Sequence, residues 1–112
     1  DLQAAPEHVD VHGDLKEYIL RVTRATRTDD RVEVGVSPRG TQRLFETVRA
    51  RAALHGRDFV RPSDVKTLAE AVLAHRLVLE TDAMVDDVSK TDVIEDILSD
   101  EPVPRLSRGG KP

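Results

Sequence analysis

The sequence predicts a mainly α fold, a small bundle of about four helices with at most a tiny two-stranded pairing. Apolar residues recur at helical spacing in four separate stretches, near 14–27, 38–55, 63–75 and 91–99. Strong helix punctuation divides these stretches: Ser37-Pro38, Gly56, Pro62-Ser63-Asp64 and Pro102. The runs with strand character, Val32–Val36, Phe59-Val60 and Leu77–Leu79, are all short. At 112 residues the chain forms one small domain with a modest core. One Tyr and two Phe leave that core to Leu, Val, Ile and Ala.

In the first helix Asp14 is the predicted N-cap, with Leu15, Ile19 and Val22 on one face and Tyr18 beside them. Arg24 and Arg27 close it, where cations suit the helix dipole. Thr28–Arg31 reads as a polar loop. Val32–Val36 reads as an extended connector that packs Val34 and Val36 on the core, with Gly35 allowing close backbone approach or positive φ. The second helix has both ends written out: Ser37 as cap, Pro38 at the first helical position and Gly56 closing the far end. Leu44, Phe45, Val48, Ala52 and Ala53 form its apolar face.

Next, Arg57-Asp58-Phe59-Val60 reads as an extended piece with Phe59 and Val60 in the core and Arg57 and Asp58 as a local pair. Ser63-Asp64 starts a third helix carrying Val65, Leu68, Ala69, Val72 and Leu73 on one face, with His75-Arg76 suiting its C-terminus. Leu77-Val78-Leu79 reads as a short buried strand able to pair with Phe59-Val60. Thr81–Ser89 reads as an acidic loop. Thr91 or Ser89 caps a last helix with Val93, Ile94, Ile97 and Leu98 inward, and 102–112 reads as a flexible tail.

Arg39 stands out because a cation in the first turn of a helix opposes the dipole, where Asp or Glu is the stabilising choice. A residue placed there against its own electrostatics points to an anion, held jointly with the first-turn amides. Charge is also distributed in blocks. Residues 21–61 hold ten Arg against five acids, and residues 80–101 hold nine acids against one Lys, so the two blocks are of opposite sign within a chain of net charge −4.

Four segments in this order, Y-I-L-R-V-T-R (18–24), V-G-V-S-P-R-G (34–40), H-G-R-D-F-V-R-P-S-D-V (55–65) and V-L-A-H-R-L (72–77), resemble the C-terminal lid subdomain of MoxR-type AAA+ ATPases over roughly Val9 to Leu79. The resemblance implies a helical lid over 9–101, with 1–8 as the stump of a linker from a missing N-terminal ATPase subdomain. It implies that Arg39 is the sensor 2 residue directed at the phosphates of ATP, with Ser37 and Pro38 presenting it. Arg24 falls in the T-R segment and is a candidate helper near the nucleotide or a neighbouring subunit. It implies as partners the chain's own ATPase subdomain, neighbouring subunits of a ring and a client protein, and as activity chaperone-like maturation of partner complexes.

The residues themselves limit the chemistry. There is no phosphate-binding loop of the G-x-x-x-x-G-K-[ST] kind, no nucleophile elbow and no cysteine. ATP with Mg is therefore expected on the missing subdomain, with no cofactor expected for this chain alone, no metal site and no ATP hydrolysis by it. A cytoplasmic setting without a membrane span is the expectation. Two other readings stand beside the lid. A stand-alone helical protein-interaction domain would dock through the acidic block. A helical DNA-binding module fits the basic middle but conflicts with a pI near 5.5, so no nucleic-acid partner is expected.

Overall fold

The computed structural model describes residues 9–104. The chain is mainly helical: α1 (Gly13–Thr28), β1 (Val32–Val34), α2 (Pro38–Leu54), α3 (Pro62–Leu73), a 3-10 turn (Ala74–Arg76), β2 (Val78–Leu79), α4 (Thr81–Val85) and α5 (Lys90–Asp100). The linker expected over 1–8, and the tail beyond residue 104, lie outside the described residues. No described helix is long and apolar enough to cross a membrane.

Helix α2 packs chiefly on α3, while α1 and α3 both pack on α5. Leu15, Tyr18, Ile19, Leu44, Val48, Val65, Leu73 and Ile94 are completely buried between them. The predicted apolar stripes supply this core, with Phe45, Leu68 and Val72 partly buried at its edge. The Tyr18 hydroxyl reaches the Leu98 carbonyl at 3.4 Å and so fastens α1 to α5. Helix α1 is capped two residues earlier than expected: His12, not Asp14, is the cap, its Nδ1 accepting the Asp14 amide at 3.1 Å.

The sheet corrects the expected strand partners. β1 pairs antiparallel with β2, Val32 opposite Leu79 and Val34 opposite Val78. Phe59 instead forms a single parallel bridge with Asp10, framed by Asp10 N–H to Asp58 O and Val60 N–H to Asp10 O, both 2.9 Å. The incoming segment with buried Val9 and Val11 takes that place because its alternation matches the extended piece at 58–60. Two residues expected in the core are outside it. Val34 is 52% exposed although Val32, two residues before it, is buried, because the pairing with β2 is irregular between the two. Phe59 is 46% exposed while its neighbour Val60 turns inward. The Phe59 ring is flanked by Arg57 and Arg61 guanidinium carbons at 6.0 and 5.6 Å from its centroid.

The H-G-R-D-F-V-R-P-S-D-V segment is a structural joint. Gly56, at φ 70°, closes α2 with Gly56 N–H to Ala53 O and Arg57 N–H to Ala52 O, the paired bonds of a Schellman end. Arg57 does not pair with Asp58. It makes a two-bond contact with Asp64 at 2.8 and 2.9 Å, and Arg51 of α2 adds a third at 3.2 Å. Asp64 also accepts the Arg61 backbone amide at 2.8 Å, so it sits inside the first turn of α3 and not at its cap. Burial would push the Asp64 carboxyl up, but its bonds to Arg57 and to the Arg61 amide outweigh that and hold it below the ordinary carboxylate range.

Beyond β2, the expected acidic loop contains the one-turn helix α4, held by buried Ala83 and followed by Asp87 at φ 64°. Ser89 is the cap of α5, its hydroxyl accepting the Asp92 amide at 3.0 Å while the Asp92 carboxylate accepts the Ser89 amide at 3.0 Å. The two charge blocks partly neutralise each other within the chain, through Arg21 with Glu101 at 3.2 Å and Arg31 with Asp96 at 2.7 Å.

Candidate functional site

The start of α2 is fixed from behind by α1. The Thr26 hydroxyl accepts the Val36 amide at 2.9 Å and donates to the Thr23 carbonyl at 2.6 Å. The Arg27 Nε donates to the Val36 carbonyl at 2.8 Å. Both backbone groups of the buried Val36 are thus satisfied by one helix. Gly35 makes that approach possible, because a Cβ there would lie 2.7 Å from Arg27 Cα. Close approach, and not positive φ, is why glycine stands at 35. Arg27 therefore does more than complement a dipole; it clamps the connector.

From this fixed point Ser37 caps α2, its hydroxyl accepting the Gly40 amide at 3.3 Å, with Pro38 in the first turn. The first turn carries no acid. Arg39 is exposed and makes no hydrogen bond or ion pair among the described residues. With Gln42, Arg43, Glu46 and Arg76 it lines an open cleft. Arg43 touches Glu46 only loosely, at 3.6 Å with both side chains exposed, a pairing that contributes little. Arg76 comes from the 3-10 turn after α3; its Nε donates to the Val72 carbonyl at 3.0 Å. A second shallow cleft beside it is lined by Lys16, Pro38, Thr41, Gln42, Phe45 and Arg49, and the Arg49 Nε is buried with no partner among the described residues.

The residues lining these two clefts include five cations and a single carboxylate, Glu46. Such a surface, beside the amide end of a helix, has the donor set of an anion site. Of the three residues singled out in the sequence, Arg39 lines the first cleft, Pro38 lines the second, and Ser37 caps the helix and lines neither. Arg24 is exposed on α1 and lines neither cleft. Arg76 was read from sequence only as a complement to a helix end, although it lies in the V-L-A-H-R-L segment, and that membership was the available signal. Among the described residues no group of three His, Asp or Glu is arranged to hold a metal ion.

The AAA lid domain family matches residues 24–97, and the chain belongs to that family. Within it the chain is a MoxR-type AAA+ lid domain, on the strength of the following relatives. It is 36% identical over 103 residues to the uncharacterized protein YeaC of Bacillus subtilis, covering 92% of this chain and 32% of that protein. It is 36% identical to the chaperone MoxR1 of Mycobacterium tuberculosis, covering 87% of this chain and 28% of that protein. The crystal structure of a putative ATPase from Cytophaga hutchinsonii superposes with a TM-score of 0.84 at 28% identity, covering 89% of this chain and 33% of the other. The chain thus spans about a third or less of the length of these relatives.

Proposed function

We propose that this domain closes over ATP bound on a large ATPase subdomain, with Arg39 as the sensor 2 arginine. The observation that carries the proposal is an exposed, unpaired arginine in the first turn of a helix whose start is clamped by Thr26 and Arg27. Rigid backbone with a free guanidinium is what a phosphate sensor needs: the head is available, and its origin does not move. The cleft's donors are cationic, which suits phosphate oxygens and leaves magnesium to carboxylates on the other subdomain. ATP, when bound, supplies the phosphoryl group to be transferred. Arg39 binds and orients its phosphate oxygens and stabilises charge there.

Closure driven by that contact would make the lid's position depend on nucleotide state, which is how hydrolysis would be passed to neighbouring subunits and a client. The relative named a chaperone supports a remodelling role for the complete protein. In the complete ATPase, a fluorescence distance probe between this domain and the large subdomain is expected to shorten when ATP replaces ADP. The Arg39→Ala variant is expected to lose that shortening. An unchanged response in the variant would remove Arg39 from the coupling.

A further inference from the structure

Arg76 lines the same cleft as Arg39 but is held in a different way. Arg39 extends from the first turn of α2 without a partner, whereas Arg76 is tethered by its Nε to the Val72 carbonyl at 3.0 Å. That bond uses one donor and leaves the four N–H groups of the two terminal nitrogens without partners among the described residues. Its aliphatic stem lies against α2 at Gly40. A Cβ on Gly40 would meet Arg76 Cδ at 3.1 Å and Val36 Cγ1 at 2.7 Å, so any larger residue displaces one or the other. Gly40 is buried in an α-helix, where glycine is otherwise unfavourable, and its value is the space it leaves for that stem.

Two like charges beside one cleft repel unless an anion lies between them. No carboxylate among the described residues bonds to either guanidinium head, and Glu46, the one acid in the cleft lining, makes only a loose 3.6 Å contact, with Arg43. We propose that Arg76 is a second phosphate-binding arginine of this cleft, acting with Arg39 on adjacent phosphates of a polyphosphate chain. It rests on the proposed orientation of the cleft towards ATP and adds a residue that the sensor role does not require. The two arginines divide the work. Arg76, pre-set by Val72 and Gly40, gives a fixed planar fork; Arg39, free in solvent, folds onto the same ligand from the helix start. A chain of phosphates engages both, while a single phosphate engages one.

The test uses the 112-residue chain with inorganic tripolyphosphate as the probe, followed by NMR of the arginine side-chain N–H signals. Tripolyphosphate is expected to shift the signals of both Arg39 and Arg76 with one common, millimolar affinity, and monophosphate to bind distinctly more weakly. Arg76→Ala is expected to keep the dispersed amide spectrum and to lower tripolyphosphate affinity about tenfold, the loss of a charge-assisted contact. Arg76→Lys is expected to recover part of it, since it restores charge without the fork. Shifts confined to Arg39 would overturn the role of Arg76 and leave the sensor assignment standing. Absence of any shift at saturating probe would overturn the pre-formed site, while the sensor assignment would still be judged by the closure response of Arg39→Ala.

Discussion

At its C-terminal end α2 meets Asp64, a carboxylate only 1% exposed that takes bonds from Arg51, Arg57 and the Arg61 amide. At its N-terminal end the same helix carries Arg39, exposed and without an acid, beside Arg43 and Arg76. The residue type is the same at both ends, and its partner decides its use. Where a buried carboxylate is waiting, arginine is mortar between α2, the turn at 55–61 and α3. Where none is supplied, the backbone is anchored and the guanidinium is exposed without a partner among the described residues. On the proposed reading of Arg39, stability and function separate along one helix, which gives the contrast consequences that can be measured.

The largest effect is expected at the mortared end. Asp64→Ala leaves two guanidinium groups facing a buried gap, and breaking such a pair from one side costs roughly 3–5 kcal/mol. Urea unfolding of the chain reads that loss; a change below about 1 kcal/mol would mean the joint is ornamental. The same site has a pH signature. Its folded carboxyl titrates below the ordinary value, so its contribution is present above about pH 4 and is lost as pH falls through the folded pKa. Asp64→Asn lacks that titration, so thermal melts from about pH 6 down to about pH 3 should fall less steeply than those of the parent sequence.

Leu44→Ala, in the fully buried middle of α2, is expected to cost roughly 2–5 kcal/mol through a cavity, with no dependence on pH or on phosphate. It calibrates the scaffold between the two ends. A smaller loss is expected where the scaffold holds the free end in place. Thr26→Val removes the acceptor for the Val36 amide and leaves a buried donor unsatisfied, about 1–3 kcal/mol. It should also blunt any anion response of Arg39, since the helix start is no longer fixed. Loss of stability with an intact anion response would show that the clamp serves the fold alone.

The legibility of these features from sequence follows their range. Apolar stripes and caps act within a turn or two, so the four main helices and Ser37 were readable from local spacing. Strand partners were not: Val32–Val34 and Phe59-Val60 have similar composition, and only the packed structure assigns the first to β2 and the second to Val9–Val11. Phe59 and Val34 look like core by residue type, yet alternation turns Phe59 out where Val60 turns in, and an irregular pairing between Val32 and Val34 leaves Val34 outside. The one-turn helix α4 is too short to carry a helical period. Arg39 was legible because it violates the dipole rule in its own turn. Arg76 was not, because its meaning depends on lying across Gly40, 36 positions away in sequence.

The smallest stability change is expected at Arg39 itself, and it carries the central claim. Arg39→Ala removes an exposed side chain that makes no hydrogen bond or ion pair among the described residues and opposes the helix dipole, so the unfolding free energy of this domain should stay within about 0.5 kcal/mol. If Arg39 is the sensor proposed above, the same substitution in a full-length ATPase carrying this domain should lower ATP turnover by on the order of a hundredfold or more, as for a lost transition-state arginine. Measuring both quantities on this one variant tests the separation of stability from function directly. A stable domain with collapsed turnover is the predicted result. A destabilised domain, or turnover at the parent level, would contradict it.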